Sequence, residues 1–307
     1  MISFADDEMG TMSREETEAL LRRARGALAT RQENARLARW GRCAQRVRNR
    51  DSEENLVSAS TAWWETMFTP LRSHNLQRGK PLLSYAIFAP AVVIQEGVYG
   101  PTRFDRIGSD GQIEHQFNFY ERYLAPLKAN ILSYRERLPH WQLRVYVAAD
   151  AADLLMPHLH ACPLGLWEAV IMPPAQYAGM TGMFWRLLPA GDVAVPRFFC
   201  CDADEELPEH VKVDLARWEQ RSEPFMGTIQ APSHPSGLTM CGCRWGAVSG
   251  ACADLEDKIV RFHADMAMWH GERHPFDFHV PGHYGFDEYF LHHVVWPIAQ
   301  EKGYFQP

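Results

Sequence analysis

Paired acids end an apolar run in the stretch Val193-Ala194-Val195-Pro196-Arg197-Phe198-Phe199-Cys200-Cys201-Asp202-Ala203-Asp204-Glu205-Glu206. The run is typical of a buried strand, because continuous apolar residues suit a sheet that is covered on both faces. The acids would then lie at the carboxyl end of that strand, where open α/β sheets place their ligand crevices. Two carboxylates one residue apart at this edge can hold a hard divalent cation, and the cation can hold a diphosphate.

Strands and helices alternate around this stretch. The pattern predicts further strands over residues 82–89, 142–148, 166–172 and 224–230. It predicts helices over residues 116–137, 152–160, 184–188, 208–221, 251–268 and 287–300. Such alternation is typical of a mainly parallel sheet flanked by helices, so the sequence predicts an α/β fold.

The front of the chain has a different composition. One long helix is predicted over residues 13–48, where Ser13 and Glu16 form a capping box, and ten arginines lie between positions 22 and 50. A linker is expected over residues 72–80. The sequence thus divides into a helical N-terminal extension, residues 1–80, and a main domain, residues 81–307. The extension either packs on the main domain or on a second subunit as a homo-oligomer contact, or binds an anionic partner through its arginines.

Composition excludes several classes of protein. The net charge of -7 argues against a general nucleic-acid binder. No apolar stretch reaches the roughly 18 residues of an integral membrane segment, and the acidic start of the chain resembles no signal peptide. Seven cysteines scattered among apolar neighbours indicate reduced thiols in a cytoplasmic protein. Cys241 and Cys243 have the spacing of half a zinc site, but no second pair completes it.

Four blocks of the main domain share a known pattern. They are residues 82–88 with 139–147, residues 182–189 leading through Asp192 to the acids, residues 218–225 with 241–246, and residues 284–291 with Trp296 and Pro297. Together they resemble the nucleotide-diphospho-sugar glycosyltransferases of the GT-A fold, in particular a poorly characterised bacterial group, over roughly residues 82–301. The resemblance implies a metal-dependent transfer of a sugar from a nucleotide-sugar donor to an acceptor. That acceptor is a glycan, a small molecule or a protein.

The resemblance also implies a metal site and a donor site. Asp202 and Asp204 would form the Asp-x-Asp motif that holds Mn²⁺ or Mg²⁺, which suit carboxylate oxygens. His283, in a loop before the last helix, is a candidate third ligand. Ala89, after the first strand, and Trp245 are candidates for contact with the donor. Gly242 and Gly246 predict a tight turn that lines the pocket, and Trp245 either stacks on a sugar or packs in the core.

Catalytic roles are expected for three charged residues. Arg186 precedes the acid-bearing strand and would reach either the acids or the donor; a structural ion pair is the alternative. Asp287 is the first candidate for the base that deprotonates the acceptor hydroxyl, and Glu288 is the second. The alternative for Asp287 is a helix N-cap.

Two rival functions stay open. Where the GT-A relatives carry an Arg before the acid pair and a Ser after it, this chain has Cys201 and Glu205, and their later charged run is replaced by residues 230–235. These departures favour a catalytically degenerate transferase fold that serves as a binding or scaffold protein. A nucleotidyltransferase is the other rival, but the first strand is followed by Ala89-Pro90-Ala91-Val92 without the Gly and Lys of a phosphate loop.

Overall fold

The computed structural model describes residues 65–88, 119–163, 165–174, 179–229, 238–252, 254–268 and 286–306. Four features predicted from the sequence lie outside these residues: the long helix over residues 13–48, Ala89, the altered run over residues 230–235, and His283. Their roles stay predictions.

One mixed sheet of eight strands forms the centre of the described chain. The strands are β1 (Arg72–His74), β2 (Leu82–Ile87), β3 (Gln142–Ala148), β4 (Trp167–Met172), β5 (Arg197–Cys200), β6 (Phe225–Ile229), β7 (Met240–Val248) and β8 (Gly303–Gln306). Their order across the sheet is β1-β4-β3-β2-β5-β7-β6-β8. Only β1 and β7 run against the direction of the other strands of this sheet. The predicted α/β fold with a mainly parallel sheet flanked by helices is confirmed.

Helical segments connect the strands. They are a π-helical turn (Tyr120–Leu124) leading into α1 (Ala125–Ser133), a short 3₁₀ turn (Tyr134–Glu136), α2 (Ala149–His160), a long 3₁₀ segment (Gly179–Gly191), α3 (Glu209–Glu219), α4 (Leu255–Met268), α5 (Phe286–Phe290), a second π-helical turn (Leu291–Val295) and α6 (Trp296–Ala299). Among the described residues, none of the helices combines the length and the apolar character that a bilayer crossing requires.

The strand order reverses beside β2. From β2 the chain adds β3 and β4 on one side and then returns through the 3₁₀ segment to place β5 on the other side. Leu82 therefore pairs with Gln142 of β3 and with Phe198 of β5. In open α/β sheets, ligands bind outside the carboxyl ends of the strands at such a reversal. Asp202 and Asp204 follow the carboxyl end of β5, at this point of the sheet.

Apolar packing covers both faces of the central strands. Every residue of β3 and β4 is buried. Phe184 of the 3₁₀ segment lies at the centre of an aromatic cluster, with ring centroids 4.4 Å from His263 of α4 and 5.6 Å from Phe286 of α5. This cluster fixes α4 and α5 against the segment that carries Arg186.

A buried ion-pair network anchors the end of the 3₁₀ segment to β3 and β4. The Nε of Arg144 donates to Glu168 Oε1 at 2.5 Å, and its Nη1 donates to Asp192 Oδ2 at 3.0 Å. The backbone N–H of Gln77 donates to the other oxygen of Glu168 at 3.0 Å. Burial raises the pKa of Glu168, and these donors oppose that rise. The network fixes where the chain enters β5.

Residues 65–80 belong to the main domain, although the sequence assigned them to the N-terminal extension. Met67 and Phe68 are buried in the core, and Trp185 Nε1 donates to the Met67 carbonyl at 2.9 Å. Within the expected linker, β1 pairs with β4, with Arg72 opposite Ile171. The extension itself, over the residues before 65, stays a prediction.

The tight turn predicted around Gly242 and Gly246 is wrong. These residues lie inside β7, a strand of nine residues that pairs with both β5 and β6. A Cβ at Gly246 would lie 2.1 Å from the Phe198 carbonyl oxygen, so the close approach of β5 requires a glycine there. The glycines thus permit strand packing rather than chain reversal.

Candidate functional site

The two aspartates lie directly beyond the pairing of β2 with β5. The backbone N–H of Cys201 donates to the Ser84 carbonyl at 2.9 Å, which extends the ladder to the residue before Asp202. The side chains of Asp202 and Asp204 are 33% and 31% exposed. Both carboxylates therefore reach solvent at the carboxyl edge of the sheet, as the sequence predicted.

A buried asparagine of α1 holds the turn that carries the acids. Asn130 Nδ2 donates to the Glu205 carbonyl at 3.0 Å, and Asn130 Oδ1 accepts from the Leu207 backbone N–H at 2.7 Å. Because both ends of the amide are used in a buried position, the turn has a defined conformation. Sequence reasoning missed this residue, since an Asn inside a predicted helix gives no signal of its distant partner.

Arg186 joins the two acidic regions that the sequence assigned to the site. Its Nη1 donates to Asp202 Oδ1, and its Nη2 donates to Asp287 Oδ2 at 2.6 Å. Burial by itself lowers the pKa of Arg186, but the two carboxylates outweigh burial and raise that pKa well above its ordinary value. The guanidinium is thus a permanent positive charge between β5 and α5. The ion pair offered as the alternative role of Arg186 is present.

Gly242 of β7 allows this ion pair to form. A Cβ at position 242 would lie 2.6 Å from Asp287 Oδ2 and 3.1 Å from Arg186 Nη2. The backbone N–H of Gly242 also donates to Glu288 Oε1, at 3.4 Å. The strand backbone therefore packs directly against the charged pair and orients the neighbouring glutamate.

Two further arginines bind Asp204 and Glu205 in the same turn. Arg122, in the π-helical turn before α1, lies 3.5 Å from Asp204 Oδ2. Arg244 of β7 binds both oxygens of Glu205, at 3.0 Å and 3.2 Å from its Nη2. Each of the three acids thus has an arginine from a different element. Sequence reasoning missed the roles of Arg122 and Arg244, because their partners lie 82 and 39 positions away.

Among the described residues, the carboxylates that these arginines or the Gly242 N–H bind outnumber the guanidinium groups by five to three, so this cluster has a formal charge of -2. The carboxylates are those of Asp202, Asp204, Glu205, Asp287 and Glu288, and the guanidinium groups are those of Arg122, Arg186 and Arg244. Burial raises the pKa of Asp204, and the charge of Asp202 raises it further, while Arg122 opposes both. A divalent cation would relieve this repulsion.

The described residues fit a metal site shared with a ligand rather than a closed protein site. No group of three His, Cys, Asp or Glu side chains within the described segments has the geometry of a metal site. Asp202 and Asp204 each bind an arginine through one oxygen, Asp202 Oδ1 and Asp204 Oδ2, and both carboxylates are partly exposed. One or two carboxylates completed by phosphate and water is the usual arrangement for Mg²⁺.

Asp287 and Glu288 differ in their exposure to solvent. Asp287 is only 2% exposed, and Arg186 binds one of its oxygens. Glu288 is half-buried and therefore reaches solvent. A base must come within hydrogen-bond distance of the acceptor hydroxyl, so the geometry favours Glu288 over Asp287 in that role.

Trp245 has no exposed surface and packs edge-to-face on Phe198, with ring centroids 5.4 Å apart. A stacking platform needs an open ring face, so the alternative of core packing describes Trp245. The other donor candidate, Ala89, and the metal candidate, His283, lie outside the described residues.

Two cysteines within β7 lie beside the acids. In the antiparallel register of β5 and β7, Phe199 lies opposite Gly246, which brings Cys243 level with Asp202. Cys241 and Cys243 are both half-buried. The sequence showed their spacing but not their position beside the candidate site.

Comparison by sequence identifies no relative. No protein-family model matches the chain, and no curated protein matches it at a significant level.

Two solved structures match this chain at low similarity. One is the crystal structure of Rv0371c from Mycobacterium tuberculosis H37Rv, with 12% identity and a TM-score of 0.35 over 65% of this chain and 87% of that chain. The other is the mannosyltransferase PcManGT from Pyrobaculum calidifontis in complex with GDP-Man and Mn²⁺. It has 12% identity and a TM-score of 0.37 over 94% of this chain and 66% of that chain. Similarity at this level decides neither the activity nor the ligand of this chain.

Proposed function

We propose that this chain is a metal-dependent glycosyltransferase of the GT-A type, which moves a sugar from a nucleoside-diphosphate sugar to a glycan, a small molecule or a protein. The observation that carries the proposal is the position of Asp202 and Asp204. They lie partly exposed at the carboxyl edge of the sheet, where the strand order reverses beside β2.

Asp202 and Asp204 would hold Mn²⁺ or Mg²⁺ together with the diphosphate of the donor. The bound ion would neutralise the negative charge that develops on the leaving diphosphate. The formal charge of -2 of the described cluster of carboxylates and arginines supports a divalent cation there. His283 is a further candidate ligand.

Arg186 and Asp287 act as positioning residues in this proposal. Arg186 fixes the Asp202 side chain through one nitrogen and binds Asp287 through the other. Glu288 is the proposed base: the Gly242 N–H orients its carboxylate, and its exposure lets an acceptor hydroxyl approach. Glu288 would take the proton of that hydroxyl as the oxygen attacks the sugar.

A binding or scaffold function without catalysis is the second candidate. Its support is that arginines neutralise three of the four acids of the turn, through the pairs of Asp202, Asp204 and Glu205 described above. An ion that binds there must compete with these guanidinium groups. A fold that had lost its metal would retain the same pairs as purely structural contacts.

The experiment that tests the proposal measures binding and release of the leaving group. A panel of nucleoside-diphosphate sugars is tested by thermal shift with and without Mn²⁺, followed by an assay for released nucleoside diphosphate. We expect one donor to bind and be hydrolysed slowly in a Mn²⁺-dependent way. Binding of none of the donors with Mn²⁺ present would support the scaffold function instead.

A matched pair of variants tests the metal ligands. Asp204→Asn removes a proposed ligand charge, whereas Glu206→Gln removes an exposed charge from the same turn. We expect Asp204→Asn to weaken Mn²⁺-dependent nucleotide binding by more than about tenfold, because even residues that only support metal ligands have effects of this size. Equal affinities for the two variants in calorimetry would refute the assignment of Asp204.

A further inference from the structure

A cleft of about 450 Å³ lies at the amino edge of the sheet, where β2, β3 and β5 begin. This edge is opposite to the one that carries the acids after β5. The lining of the cleft includes Lys80 before β2, His140 before β3, Arg197 at the start of β5 and Glu219 at the end of α3. The volume is in the range of small-molecule sites, so a small metabolite fits in the cleft.

Backbone hydrogen bonds fix the walls of this cleft. Gly79 has a φ of 75°, a conformation that favours glycine, and its N–H donates to the Ala194 carbonyl at 2.7 Å. The N–H of Gln142 donates to the Pro81 carbonyl at 2.8 Å. The first bond ties the segment before β2 to the segment before β5, and the second ties it to β3. The cleft is therefore formed by the fold itself, without a ligand.

Two cations of the cleft have no acidic partner. Within the described chain, neither Lys80 nor Arg197 forms an ion pair with a carboxylate. The guanidinium of Arg197 lies 4.6 Å from the centroid of the Trp218 ring, and its Nη1 donates to the Trp218 carbonyl at 2.6 Å. These contacts hold the guanidinium in one place. Burial lowers the pKa of Arg197 and the charge of Glu219 opposes this fall, so a bound anion would stabilise the charged form further.

The charged lining of the cleft is positive, although the chain as a whole has a net charge of -7. Lys80 and Arg197 contribute two positive charges and Glu219 contributes one negative charge, which gives a formal charge of +1 with His140 neutral. The indole Nε1 of Trp141 donates to Glu219 Oε2 at 3.1 Å and so holds this carboxylate at the cleft. The lining thus combines donors for an anion with an acceptor for a hydroxyl group.

We propose that this cleft is a binding site for phosphate, either as inorganic phosphate or as the phosphate group of a small ester. The guanidinium of Arg197 suits the paired oxygens of a phosphate, and the ammonium of Lys80 adds a second charge, so the two cations match a dianion. The ring N–H of His140 is a further donor, and Glu219 accepts from a hydroxyl group of the ester. A polymer is a poor fit, because nucleic-acid binders present an extended basic surface rather than one cleft of charge +1.

Calorimetry on the full-length protein tests the proposal with three probes: inorganic phosphate, glycerol phosphate and glycerol. EDTA is present and the ionic strength is held constant, so neither a metal ion nor bulk screening contributes. We expect both phosphates to bind saturably to one site and glycerol not to bind. Tighter binding of glycerol phosphate identifies an ester as the ligand, and equal binding identifies free phosphate. Absence of saturable binding of both phosphates, or equal binding of glycerol, would overturn the proposal.

Two variants of the cleft should change the affinity for inorganic phosphate in opposite directions. Lys80→Gln removes a charged donor and should weaken binding about tenfold. Glu219→Gln removes a repulsive charge and should strengthen binding, while its amide oxygen still accepts from Trp141. Lys302→Gln and Glu301→Gln are the matched controls, because both residues are exposed and lie outside the cleft.

The controls should leave the affinity for phosphate unchanged. An equal loss in Lys302→Gln and Lys80→Gln would show that phosphate responds only to the overall charge, and would refute the site. These measurements use neither a nucleotide-sugar donor nor a metal ion, so their outcome is independent of the proposed transferase activity.

Discussion

Arg186 connects positions that are far apart in the chain. Its partner Asp202 lies 16 positions away and its partner Asp287 lies 101 positions away, yet one guanidinium binds both carboxylates. Buried ion pairs contribute little net stability, but loss of one partner leaves an uncompensated charge. The pairing therefore selects one arrangement of β5 relative to α5, and with it the place of Asp202.

Replacement of Gly242 by alanine should destabilise the protein. The new Cβ would overlap Asp287 Oδ2, 2.6 Å away, in a site where the carboxylate is buried and already bound. We expect a loss of about 1–3 kcal/mol in the free energy of unfolding, measured by urea denaturation. Gly191→Ala is the control, because its Cβ would meet the flexible Glu256 side chain, with Oε2 at 3.3 Å and Cβ at an ordinary 3.8 Å. An equal loss in both variants would show that the ion pair is not the cause.

Removal of the positive charge at Arg122 should strengthen binding of Mn²⁺ alone. Arg122 competes with a cation for Asp204, and both side chains are 31% exposed, so their pair contributes at most about 1 kcal/mol. We expect Arg122→Gln to raise Mn²⁺ affinity by up to about fivefold in calorimetry. Arg137→Gln, which removes an exposed pair with Glu209, should leave that affinity unchanged. Weaker binding by Arg122→Gln would place Arg122 among the residues that hold the metal site together.

The sequence predicted some strands better than others. The pattern predicted β3 with its observed bounds, because Val145, Tyr146 and Val147 favour an extended strand. It missed β7, since Cys, Gly and Arg alternate there and the strand depends on pairing with β5 and β6. The acids after β5 were also predictable from a local pattern. Arg122, Arg244 and Asn130 were not, because only the folded topology brings them to the turn.

The contact between α4 and the 3₁₀ segment should make stability depend on pH. His263 of α4 is fully buried against Phe184, and burial lowers its pKa from 6.5 to about 3. The unfolded chain binds this proton near pH 6.5, whereas the folded chain binds it only near pH 3. Folded stability therefore falls as the pH drops between these values, with a slope of about 1.4 kcal/mol per pH unit from this residue.

The variant His263→Phe tests this slope. Phenylalanine keeps an aromatic ring in the cluster but cannot bind a proton, and it loses the bond to the Ile259 carbonyl. We expect its unfolding free energy, followed by urea denaturation, to decrease less between pH 6.5 and pH 5 than that of the unaltered protein, by about 2 kcal/mol. The difference in unfolding free energy between the two proteins at pH 8 measures the packing change, and it is subtracted from the differences at lower pH. Parallel pH profiles of the two proteins would argue against a buried neutral histidine.

Two truncations of the N-terminal region should differ in their effects on stability. Removal of residues 1–64 leaves Met67, Phe68 and β1 in place, so we expect the domain to fold and only its oligomeric state to change. Removal of residues 1–80 deletes two buried side chains and the edge strand, which should lower the melting temperature by several degrees. Light scattering and thermal unfolding measure these outcomes. Identical masses for the first truncation and the full chain would count against assembly through the extension.

The two outermost strands bear on how copies of this protein can associate. β1 has three residues and includes Arg72 and His74, and β8 has four residues. Short or charged outer strands give a foreign strand few backbone groups to pair with, which protects a sheet from growing into aggregates. Within the described sheet, neither end is built to add strands from another molecule. Lasting self-assembly would then have to come from side-chain packing, which a point mutation on a helical surface can abolish.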